Sequence, residues 1–200
     1  MLFRYNLCAG WHDHANMGIS IIVAYDYGQN RYRIFCENNL DQFQMLIHSA
    51  DILVGFNSIS FDDQVMACNG VPIKTDFDIL RETYAALGLE PFPDEYGPEY
   101  RGRGLDMMCQ ANGLGSKTGT GAMAPISWQR GNIGIVADYC MNDVRLTKSL
   151  LDLALTDSSV IDPVTRSEFT LKNPIRAYYE RLEPDRIAIM TGENSHEIHA

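Results

Sequence analysis

Two runs rich in β-branched and aromatic residues, 18–27 (GISIIVAYDY) and 31–36 (RYRIFC), are separated only by the turn formers Gly28, Gln29 and Asn30. That arrangement points to a β-hairpin. The period then changes. Leu40, Phe43 and Ile47, with Leu46 alongside, recur at helical spacing across 40–50, and Asn39 stands where a cap belongs. Residues 51–56 (DILVGF) follow as a short continuous apolar run of the kind buried in a sheet. The order β, β, α, β predicts an α/β domain.

Further along, helices are expected to start at 61–68, to run over 78–87 with Gly88 as the stop, and to form around 105–112. Residues 91–104 and 113–121 are rich in Gly, and the first also in Pro; both read as loops. The last strong element is 133–155, where Val136, Cys140, Val144, Thr147, Leu151 and Ala154 recur every three or four residues, the mark of an amphipathic helix. Beyond it lies a polar stretch with Pro163, Pro174 and Pro184, one possible strand at 168–172 and an end at 192–200 expected to fray. The expected organisation is one domain over 1–155 and a polar C-terminal extension over 156–200, without internal repeats.

A chain of 200 residues with 46% apolar content can bury one core. Its 26 acidic residues against 16 basic ones give a formal charge of −10, which argues against holding nucleic acid by broad electrostatics. Any nucleic-acid site must be local, and carboxylates loaded with divalent metal would reconcile net acidity with a phosphate substrate. Cys8, Cys36, Cys68, Cys109 and Cys140 form no C-x-x-C pair, so neither a zinc knuckle nor a disulfide framework is indicated. No apolar run reaches the roughly 20 residues of a membrane span, and the first residues lack the order of a secretory signal. A cytoplasmic protein with no membrane partner is the expectation.

Chemistry concentrates at two places. In 55–62 (GFNSISFD) a buried run ends in Gly55 and Asn57 and a helix begins with the acid Asp62; α/β sheets place ligand-binding groups at such points. In 139–143 (YCMND) the i, i+4 spacing puts the Tyr139 phenol and the Asp143 carboxylate on one helix face. A tyrosine one turn from an acid suits water activation beside a metal. Read alone, Asp62 is equally an acid favoured by a helix N-terminus, Tyr139 a half-buried core residue and Asp143 a solvated carboxylate.

Taken in order, GFNSISFD and YCMNDVRLT resemble the second and third motifs of the DEDD exonucleases, in the variant whose third motif is Tyr-x-x-x-Asp. The chain is similar in particular to the polymerase-B-like 3′→5′ exonucleases of prokaryotes and phages, over residues 11–155, with LGSKTGTGAMAPISWQRG and the hairpin also fitting. The resemblance implies a ribonuclease H-like mixed sheet flanked by helices on both faces. It implies hydrolysis of phosphodiester bonds at the 3′ end of single-stranded DNA. Asp62 and Asp143 would be the metal-binding acids, Tyr139 would position the attacking water, and Asn57, Phe56 and Lys117 would contact the nucleotide. Two Mg²⁺ or Mn²⁺ ions roughly 4 Å apart would flank the scissile phosphate. Replication or repair proteins are the implied protein partners.

One departure matters. The family's first motif, Asp-x-Glu, occurs nowhere in the chain, and before the hairpin the only acid is Asp13. Either that strand lies upstream of Met1, or residues 3–6 (FRYN) occupy it with the acids replaced. With two matched acids where the pattern has four, weak metal binding is expected, and a catalytically inactive relative that binds nucleic acid or a replication partner is the alternative.

Other features read more plainly. Asp76 and Asp78 suit a helix cap better than a metal site, and His12, Asp13 and His14 lack a third ligand nearby. GLGSKTGTG lacks the Gly-Lys-Ser/Thr ending of a phosphate loop and reads as a substrate-side loop. Met107 and Met108 read as core filler.

Overall fold

The β-branched residues of the hairpin meet face to face as β1 (Ile22–Asp26) and β2 (Arg31–Phe35), antiparallel with Ile22 opposite Phe35 and Tyr25 opposite Tyr32. The computed structural model describes residues 10–181. Ladder pairing starts at Ile22 rather than at Gly18 because β2 offers only five partners. Phe35 turns inward and meets Phe43 of α1 (Leu40–Ser49) edge-on at 5.3 Å between ring centroids. These two, with Met66 and Val71, make one apolar cluster beneath the hairpin.

The DILVGF run forms only a two-residue strand, β3 (Val54–Gly55), parallel to β4 (Phe77–Asp78). Side-chain carboxylates explain why the ladder stops. The Leu53 amide donates to Asp76 at 2.9 Å and the Asn57 amide donates to Asp78 at 2.9 Å, so these donors are satisfied without a neighbouring strand. Between the two strands lies α2 (Asp62–Cys68), and α3 (Ile79–Ala86) leads out of β4. A third pair, β5 (Ser159–Ile161) and β6 (Glu168–Thr170), is antiparallel. Among the described residues the strands thus hydrogen-bond as three pairs, one parallel and two antiparallel, packed with helices in an α/β domain.

The helices α4 (Leu105–Ala111), α5 (Met123–Gln129) and α6 (Ile133–Leu155) complete the body, with α7 (Pro174–Arg181) after β6. The periodic stretch 133–155 is helical over its full expected length, and its inner face carries Val136, Leu146, Leu150, Leu151 and Ala154. Leu146 and Leu150 join Met108, Ile79, Phe77, Val160 and Leu171 in the main core. Burying side chains of this size contributes roughly 1.5–3 kcal/mol each before entropy is counted. Residues 159–177, beyond the expected domain end at 155, supply Val160, Leu171 and Ala177 to that core. Met108 is buried in it, whereas Met107 is exposed.

Two features hold the parts in register. Asp162 and Arg103, both buried, form a two-pronged ion pair, with Nε and Nη2 each 2.8 Å from a carboxylate oxygen. The hairpin is tied to α6 by the Tyr27 hydroxyl, which donates to Asp152 at 2.8 Å, and by Lys148 Nζ, 4.8 Å from the Tyr25 ring centroid. No helix among the described residues is long and apolar enough to cross a membrane. Residues 3–6 and 192–200, on which two expectations rested, lie outside the described residues.

Candidate functional site

The i, i+4 spacing on α6 presents Tyr139 and Asp143 on one face, and the segment after α4 delivers a cation to them. Gly115 adopts φ +109°, a conformation open to glycine, and the chain then anchors twice. The Ser116 carbonyl accepts from the buried Asn142 amide at 3.1 Å, and the Lys117 amide donates to Asp106 at 2.7 Å. So anchored, Lys117 places Nζ 2.7 Å from Asp143 Oδ2 and 3.4 Å from the Tyr139 hydroxyl, with its charge 5.5 Å from the Tyr139 ring centroid. Burial pulls the Lys117 ammonium down, but Asp143 overcomes it and holds the group above its ordinary value. Burial and the Asp143 charge together raise the Tyr139 phenol.

The other oxygen of Asp143 is different. Oδ1 is buried and has no hydrogen-bond partner among the described residues. A buried carboxylate oxygen left without a donor is costly, and it is where a cation or a donor from a ligand would be welcome.

Asp62 is the first residue of α2. Its neighbour Asp63 is tied into the structure, accepting from the Thr75 amide at 3.0 Å and hydroxyl at 2.8 Å, while Asp62 is exposed to solvent. The protein crowded around Asp62 raises its carboxyl to about 6 despite hydrogen bonds from Ser58 and its own amide, with Asp63 and Asp78 adding to the rise. Cys140, the residue after Tyr139, has its thiol pushed up to about 11, first by burial and then by Asp143 and Asp62. Both acids therefore lie within electrostatic reach of one side chain.

The turn carrying Asn57 is built by Asp78. That buried carboxylate caps α3 by accepting from the Leu80 and Arg81 amides, and it also accepts from the Asn57 amide at 2.9 Å and the Ile59 amide at 3.1 Å. The cap expected from the Asp-x-Asp pattern is thus also a clamp on 57–59. Asn57 sits at φ +60°, which asparagine tolerates. At Gly55 a Cβ would run into the Ser58 side chain, so only glycine fits the entry to the turn.

Comparison of the chain with family models, with curated proteins and with solved structures returned no match.

Of the residues expected at a site, Lys117, Tyr139 and Asp143 are in direct contact, and Asp62 is in their neighbourhood. Phe56 is half-buried and packs against two apolar clusters. Asn57 enters through its backbone. Three contributors were not expected as site residues, although two of them lie in the stretch 113–131 that the resemblance covers. Trp11 and His14 cover Phe61 at 5.8 and 5.7 Å between centroids, bringing the N-terminal segment over the start of α2. Gly121 passes so close to Trp11 and Tyr139 that an added Cβ would stand 3.3 Å from one and 3.6 Å from the other. The third is α5, which with α6 and residues 118–120 walls a cleft of about 230 Å³ running up to Tyr139. Asp13 accepts from Asn16 at 2.9 Å, in keeping with a loop role for the His12–His14 stretch.

No group of three or more His, Cys, Asp or Glu side chains placed to hold a metal occurs among the described residues. The bare Oδ1 of Asp143 suits one hard cation, whereas Lys117 already neutralises Oδ2. The donor set fits a single weakly held ion better than the pair that the resemblance implies.

Proposed function

We propose that the chain is a 3′→5′ exonuclease-type domain with a ribonuclease H-like arrangement, acting on the 3′ end of single-stranded DNA, and that its metal site is weakened. The observation that carries this reading is the convergence of Tyr139, Asp143 and Lys117, with Asp62 close by, beside a cleft open to solvent. The order of hairpin, helix, parallel strand pair and long acid-bearing helix supports the architecture.

The residues divide the chemistry as follows. Lys117 receives a non-bridging phosphate oxygen, for which it exchanges its contact with Asp143. The Tyr139 hydroxyl orients the attacking water, and its raised phenol keeps the proton at neutral pH. Asp143, with Asp62 when ionised, would hold Mg²⁺ or Mn²⁺, which would supply Lewis acidity for water activation and for the leaving oxygen. Residues 113–121 form the substrate-side wall.

Two observations favour a second reading, an inactive relative that binds nucleic acid. The Lys117 ammonium stands on the carboxylate that a metal needs, and the Asp62 carboxyl is raised. Single-nucleotide release from a labelled oligonucleotide with Mn²⁺ separates the two. Release that disappears in Asp143→Ala supports the exonuclease; no release, or equal release from both proteins, supports the inactive relative.

A further inference from the structure

Arg81, the one cation of α3, is buried, and among the described residues it forms no ion pair with a carboxylate. The residue is 4% exposed, and none of the ion pairs among the described residues includes it. Its Nη1 donates to the Pro91 carbonyl at 2.9 Å and contacts the Tyr96 hydroxyl; Nη2 contacts the Ser60 hydroxyl. Its Nε is buried with no acceptor among the described residues. A guanidinium taken this far from water is costly unless an anion or a full set of acceptors meets it. Arg81 has only neutral partners and one empty donor.

The surroundings say what kind of anion fits. The guanidinium carbon lies 5.0 Å from the centroid of Phe92, 5.5 Å from Tyr96 and 5.9 Å from Tyr84. Phe92 and Tyr96 are 57% and 51% exposed, unusual for large rings beside a buried charge. Ser60, an exposed residue, meets the guanidinium at Nη2 through its hydroxyl. A planar fork suited to phosphate, a hydroxyl that can donate to it and two largely exposed aromatic residues match a nucleotide unit.

We propose that Arg81, Ser60, Phe92 and Tyr96 form a second site, which takes one phosphate and an adjoining base of single-stranded nucleic acid. The phosphate replaces the Ser60 hydroxyl on Nη2 and supplies the missing negative charge, and the base stacks on Phe92 or Tyr96. The choice of nucleic acid rests on the function proposed above, but the binding chemistry uses neither Asp143 nor a metal.

The test is fluorescence anisotropy of a labelled oligothymidylate with the full chain in excess EDTA, with thermal melting of every variant. Phe92→Ala, at a surface ring that leaves the core intact, is expected to weaken binding about tenfold or more with an unchanged melting temperature. Arg81→Lys, which keeps the charge and loses the fork, is expected to weaken it comparably. Failure of the wild-type chain to bind, or equal binding by Phe92→Ala, overturns the proposal. So does competition in which inorganic phosphate binds as tightly as the oligonucleotide, since the rings would then contribute nothing. Because the chelator removes divalent metal, an inactive Asp143 site leaves this result untouched.

Discussion

Lys117 Nζ stands 2.7 Å from Asp143 Oδ2, while the other oxygen of the same carboxylate is buried and bare. One side chain thus carries both an internal counter-ion and an unfilled acceptor. If Lys117 competes with a divalent cation, removing its charge strengthens metal binding. Lys117→Met is expected to bind Mn²⁺ at least about tenfold more tightly than the wild-type chain, read from the electron spin resonance of free Mn²⁺. Equal affinity would show that Lys117 does not control the site.

Asp62 supplies a pH dependence. Its carboxyl is raised from 3.8 to about 6 by the protein around it, so the folded chain holds this proton more tightly than the unfolded chain does. The contribution to stability is full below about 4 and declines as pH rises to about 6. Asp62→Asn is expected to remove that decline from urea midpoints measured across the interval. A carbon-detected titration of Asp62 with a midpoint near 4 would contradict it.

The opposite sign belongs to Asp162. Burial would raise its carboxyl, but hydrogen bonds from Arg103, Thr165 and the Val164 and Thr165 amides outweigh burial and hold it at about 2. Its stabilisation is present above about 4 and lost as pH falls towards 2. Arg103→Met leaves a buried charge without its partner and is expected to cost about 3–5 kcal/mol at neutral pH, measured by urea unfolding. A loss below 1 kcal/mol would mean that the pair is dispensable.

Asp78 links helix and turn. Replacing it with alanine removes the acceptor of four amides, those of Asn57, Ile59, Leu80 and Arg81. A loss of about 3 kcal/mol is expected, combining a helix cap with hydrogen bonds to a charged group. Hydrogen exchange at Asn57 and Ile59 should accelerate with it. If those amides stay protected, the 57–59 turn is held by something else.

The amino-acid sequence by itself determined those elements whose period is strong and local. The hairpin, α1, α3 and the full length of α6 were legible because β-branched and aromatic runs beside turn formers, three-to-four spacing and a Gly88 stop are all local signals. The Tyr139 and Asp143 pair was legible for the same reason, since four residues of helix place two side chains on one face. Short elements were not: α5 and β5 span too few residues to show a period, and β3 is cut to two residues by carboxylates that replace ladder partners. Only the tertiary structure decided that Lys117 lies on Asp143, that Asp162 meets Arg103 across 59 residues, and that Arg81 is buried without an ion pair among the described residues. Those relationships depend on where separate segments stop in space. The distance between two charges, and the water left around them, is a property of packing that no local spacing encodes.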